Sequence, residues 1–180
     1  MGEIVKTIVT SALLTLALLA VPVSAETLQV GMPASDWSFE DADGKTYSME
    51  SWKGRVLLIN YVDPDVSDLN EHFTEAMKKA KDAGHLKEDV YKGIGIADCA
   101  ATWKPNFAIR AIAGKKAKKY NTTILFDYDA ALRTAWGLTK DTANIILLDK
   151  ARTCRAIIRG RVPDEQVATL VRLAIELQSQ

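Results

Sequence analysis

The sequence predicts an α/β fold: a three-layer α/β/α sandwich with a mixed central sheet and an amino-terminal hairpin. Three observations lead there. Short, almost continuous apolar runs alternate with stripes of helical period along most of the chain, the order that builds a parallel sheet from βαβ units. Near the carboxyl end two apolar runs are separated only by a short polar turn, so they pair antiparallel and make the sheet mixed. With 180 residues, 48% of them hydrophobic and 26% charged, the chain can fill one core but not two.

The elements follow in order. Ile8 to Val21 is apolar and free of charge, Lys6 precedes it, and Val23-Ser24-Ala25 follows it with compact residues. That order predicts a secretory signal peptide over residues 1–25, cleaved after Ala25, because Pro22 stops the run short of the roughly 20 residues that span a bilayer. Residues 26–180 are then one exported domain with no permanent membrane anchor, in the periplasm if the host has one. Trp37 to Tyr47 alternates about Asp43-Gly44 and reads as a hairpin. Arg55 to Tyr61 is nearly all apolar, as a strand covered on both faces is. Leu69, Phe73, Ala76, Met77 and Ala80 form the stripe of a helix over Asp68 to Ala83, closed by Gly84. Gly93 to Asp98 is a second core strand. Pro105 opens a helix reaching Tyr120, since proline suits a first helical turn. Thr122 to Asp127 is a third strand and Ala130 to Trp136 a short helix. Asn144–Asp149 and Cys154–Arg159 are the closing hairpin. The last helix starts at Pro163-Asp164-Glu165, where acidic residues suit the dipole, and carries Val167, Leu170, Val171, Ala174 and Leu177 inward.

Two segments carry a resemblance. DGKTYSMESWKGRVLLINY is similar to the entry of thioredoxin-like, peroxiredoxin-like and TlpA-like domains, and NIILLDKARTCRAIIRGRVPDEQVATLVRLA to their closing hairpin and helix. More narrowly, TTILFDYDAALRTAWGL, IILLDK and the Val-Pro-Asp-Glu-Gln-Val helix resemble the YtfJ family of small exported bacterial proteins. The resemblance covers most of residues 27–178. It implies a thioredoxin-like fold and export, and no defined activity.

The chemistry usual to such a fold has few residues to work with. The segment after Asn60-Tyr61 is Val62-Asp-Pro-Asp-Val-Ser-Asp-Leu69, with no cysteine where a thiol would meet a helix amino terminus. Thr142-Ala143 stands where the fold keeps a cis-proline. Dithiol exchange is therefore not expected. Cys99 follows a strand near that end of the sheet, and Cys154 belongs to the opposite end, so the two are not expected to pair. Cys99 reads as a small buried hydrophobe; the alternative is a single-cysteine peroxidase or thiol oxidoreductase. Asp63, Asp65 and Asp68 read as helix capping, with Asp65 or Ser67 at the cap, and less readily as a cation site. His72, four residues after Asp68, reads as its surface partner. The lysines of Gly114–Lys119 and Lys78, Lys79 and Lys81 read as cations at helix ends.

Twenty-three basic and twenty-three acidic side chains balance, which argues against nucleic acid as a partner. Gly93-Ile-Gly-Ile lacks the third glycine of a dinucleotide site. No cofactor or metal is expected. The reading is an exported, redox-inactive protein rather than an enzyme, binding another exported protein or a small ligand. The loops that would face it are Asp63, Asp65 and Ser67, then Cys99 and Trp103, then Thr142 and Ala143. Whether Trp103 is an exposed anchor or folds down over the sheet edge is open at this level.

Overall fold

The computed structural model describes residues 27–180; the apolar run at residues 8–21 and the expected cleavage site lie outside them. The strands are β1 (Ser38–Asp41), β2 (Thr46–Ser48), β3 (Val56–Val62), β4 (Tyr91–Asp98), β5 (Thr123–Asp127), β6 (Ala143–Leu148) and β7 (Cys154–Arg159). The helices are α1 (Glu71–Asp82), α2 (Asn106–Tyr120), α3 (Ala131–Trp136) and α4 (Asp164–Leu177). One seven-stranded sheet runs β2-β1-β5-β4-β3-β6-β7. Its centre, β3 to β5, is parallel. β6 and β7 extend it antiparallel on one side, and the hairpin of β1 and β2 on the other.

The connections β3–α1–β4 and β4–α2–β5 step the same way across the sheet, so right-handed crossovers place α1 and α2 on one face. Alternation along β3 divides the core accordingly. Val56 joins Phe73 and Met77 of α1 and Leu170 and Ala174 of α4 on that face. Leu57, Ile59 and Tyr61 point the other way, against Leu132 and Trp136 of α3. The predicted three layers are thus the observed ones.

Local chemistry explains the entry. The Asp41 carboxylate accepts the N–H groups of Asp43 and Lys45, and Gly44 takes the positive φ of +79° that closes the hairpin. The short helix after β2 is a 3-10 turn, Met49–Trp52. Arg152 holds it by donating to the carbonyls of Met49, Trp52 and Arg55. Trp52 stacks on Tyr47 with ring centroids 5.2 Å apart.

Three local expectations are corrected. α1 begins at Glu71 rather than Asp68, because Pro64–Val66 forms its own 3-10 turn, capped by Asp63 through the Asp65 N–H at 2.8 Å. Asp65 and Ser67 therefore cap nothing in α1, and Asn70 stands at that position. Nor do Asp68 and His72 pair. Asp68 meets Lys116 of α2, while His72 Nε2 lies 2.9 Å from the Val162 carbonyl and 3.5 Å from Asp164.

Candidate functional site

The carboxyl ends of β3 and β4 meet the start of β6 at one end of the sheet. Val62 pairs with Ala143, and the Asp63 N–H donates to the Thr142 carbonyl at 3.0 Å. The loop after β4 is tied to the same place: Thr102 donates to the Asp65 carboxylate at 2.8 Å, and Lys104 pairs with Asp65. The three expected loops therefore stand side by side. Their residues divide by exposure. Asp63, Cys99 and Ala143 are buried and support the loops rather than present a surface. Asp65 is exposed, and Ser67 and Thr142 are half-buried. Trp103 is 86% exposed, which decides the question left open in the sequence.

Phe107, four residues beyond Trp103 in the first turn of α2, is 76% exposed. Sequence reasoning missed it; the signal was its place outside the inward stripe of Ile109 and Ala113 on α2. Further along, Arg110 donates to the Tyr128 hydroxyl at 2.9 Å and to the Ala42 carbonyl at 2.8 Å, with its guanidinium 5.1 Å from the Phe126 ring centre. Trp103 and Phe107 are thus exposed aromatics at this end of the sheet, and Arg110, on the same helix as Phe107, is held in place by its hydrogen bonds. Burial of the Asp63 carboxyl raises its pKa, and Asp141 adds to the shift, against Lys104 and Lys140.

Beneath this surface lies a polar network the sequence did not disclose. Asp98 and Asp127 are register partners on β4 and β5, and both are buried. Asp127 accepts from the Tyr61 hydroxyl at 3.0 Å and from the N–H groups of Ala131 and Leu132 at 2.9 and 3.0 Å, so it anchors the start of α3. Asp98 pairs with Arg133, and its second oxygen has no partner among the described residues. Burial pushes the Asp98 carboxyl up, opposed chiefly by Arg133. The two carboxylates are buried, and the Arg133 side chain is partly exposed.

Cys99 borders this network. Burial, then Asp127 and Asp98, push its thiol up to about 12, so it is protonated at neutral pH and a poor nucleophile. Cys154, at the start of β7, is pushed up to about 11 by burial. Both thiols are free. The acidic cluster is dispersed: Asp63 caps a turn, Asp65 faces Thr102 and Lys104, and Asp68 faces Lys116. Among the described residues no group of three His, Cys, Asp or Glu is placed to hold a metal ion.

Comparison with known proteins adds the following. A family model described as a bacterial protein of unknown function, YtfJ_HI0045, matches residues 35–177. No curated protein matches. Among solved structures, a Bacteroides thetaiotaomicron protein assigned as a protein disulfide isomerase is similar with a TM-score of 0.65 at 18% identity, over 85% of this chain and 92% of the other. The peroxidoxin BcpB from Mycobacterium tuberculosis aligns with a TM-score of 0.61 at 12% identity, over 83% and 97%. The exposed lipoprotein thioredoxin Etrx1 from Streptococcus pneumoniae aligns with a TM-score of 0.57 at 18% identity, over 77% and 99%. At these identities the likeness establishes the thioredoxin-like fold and nothing finer.

Proposed function

The chain belongs to the YtfJ_HI0045 family of bacterial proteins, and we propose that it is an exported, redox-inactive thioredoxin-like protein that binds another exported protein. The binding surface is the end of the sheet where the fold elsewhere carries thiols. The observation that carries this reading is Trp103, 86% exposed, with Phe107 at 76% four residues on and the polar groups of Asp65, Thr102 and Lys104 beside them. Tryptophan and other aromatics supply much of the binding energy where they become buried by a partner, and a polar rim around them sets orientation. Redox inactivity is supported by the sequence after β3, which has no cysteine before Cys99, and by the raised Cys99 pKa. Export is supported by the tripartite segment over residues 1–25.

The test is site-specific photo-cross-linking in the native cell, with the photoreactive residue at position 103 and, as a control, at Val30, which is also exposed. A discrete adduct at 103 that is absent at 30 is expected. No adduct at 103, or the same adducts at both positions, overturns the reading.

A further inference from the structure

The face of the sheet carrying α1 and α2 is not continuously packed. Its residues form two separate clusters, one around Phe73 and Met77 of α1 and one around Ile109 and Ala113 of α2. The reason lies in β4. Tyr91, Gly93, Gly95 and Ala97 alternate onto this face, so the floor between the helices lacks large side chains over the middle of the strand. Both glycines sit under close side chains. A Cβ at Gly93 would stand 3.0 Å from the Tyr91 hydroxyl, and one at Gly95 would stand 3.3 Å from the Ile124 side chain. Between α1 and α2 this leaves a cleft of about 350 Å³, walled by Leu58, Phe73, Met77, Ile112, Ile124 and Ile145. That volume lies within the range of small-molecule sites.

Charge is distributed unevenly around the cleft. The last turn of α2 is fastened to the first turns of α1: Lys119 pairs with Glu71 and Glu75, and Tyr120 donates to Glu71 at 3.0 Å. At the other end, Arg55, Lys81 and Lys92 stand at the mouth with one carboxylate, Glu88, which Lys81 already engages at 2.6 Å. Among the described residues Arg55 and Lys92 form no ion pair; burial first, then Lys81, lowers the Lys92 pKa, and Glu88 opposes the shift.

We propose that this cleft binds a single-chain anionic amphiphile of the fatty-acid class, with its alkyl chain between α1 and α2 and its carboxylate between Arg55, Lys81 and Lys92. The apolar walls suit an alkyl chain, and the mouth supplies the counter-charge for its head group. Pro64 and Ser67 of the first partner-facing loop reach the cleft lining, but Trp103 and Phe107 do not, so the cleft variants below and the cross-linking at position 103 test the two readings separately.

The experiment is isothermal titration calorimetry of the purified full chain with dodecanoate and with dodecyltrimethylammonium, which has the same chain and the opposite head. Saturable dodecanoate binding, at least tenfold tighter than that of the cation, is expected. Arg55→Met combined with Lys92→Met removes the head-group site while keeping apolar stems, and should weaken dodecanoate at least tenfold without weakening the cation. Ile112→Trp fills the cleft from α2 and should abolish both, with circular dichroism confirming the fold. Absence of saturable dodecanoate binding, equal affinity for the two head groups, or unchanged affinity in the double methionine variant overturns the proposal.

Discussion

Burial, with the Asp127 and Asp98 carboxylates beside it, holds the Cys99 thiol protonated, and the thiol donates weakly to the Ala97 carbonyl. A thiol whose pKa is raised from 9.0 to about 12 contributes stability that is complete below pH 9 and is lost as pH rises towards 12, because the unfolded chain ionises first. Two outcomes follow. In the native protein neither cysteine reacts with iodoacetamide at pH 8, while both react after unfolding; rapid native labelling of Cys99 would restore the thiol-enzyme alternative. Chemical denaturation between pH 9 and 11 should show a steeper loss of stability than in Cys99→Ala. Arg133 gives a larger effect. Its side chain is the charged partner of Asp98, and removing one member of a buried pair costs about 3–5 kcal/mol. Arg133→Met should lower stability by about that amount at pH 7. The loss should shrink at acid pH, since a raised Asp98 carboxyl stabilises below its unfolded pKa and destabilises as pH climbs through the folded one. Adding Asp98→Asn should recover most of it, as a urea denaturation series will show.

Among elements, α1 shows how a helix is placed by contacts remote in sequence. Asn70, before its first turn, makes no cap; its side chain donates to the Gly160 carbonyl at 3.0 Å and accepts the buried Val162 N–H at 2.8 Å. It locks the start of α1 to the loop leading into α4. Asn70→Ala leaves both backbone groups unpaired and should cost about 2 kcal/mol, measured by thermal or urea unfolding. A loss below a few tenths of a kcal/mol would show that water replaces the amide. The strands and most helix boundaries were legible in the residues, because apolar runs, Gly84, Pro105 and Pro163 are local signals. The true start of α1 was not. Asp63, Pro64 and Asp65 are good helix-start residues, and here they begin a separate 3-10 turn, a choice settled by the Asp63 link to Thr142 eighty positions along the chain.

For the whole molecule, the topology gathers three loops at one end and leaves a cleft on one face. Trp103→Ala with Phe107→Ala should remove the cross-linked partner adduct while changing stability by less than about 0.5 kcal/mol, since both side chains are exposed. An equal loss of folding and adduct would mean that the two aromatics hold the loop rather than a partner. The residues alone determined the α/β class, the order of the elements, the missing cysteines after β3 and the position of Trp103 in a loop, because each rests on neighbours a few positions apart. The tertiary structure decided the rest. Whether Trp103 is bare, whether Asp98 lies beside Asp127, and whether Gly93 and Gly95 lie under a helix or between two depend on strand register and helix placement. Those are set by packing between segments distant in sequence, which no local pattern encodes.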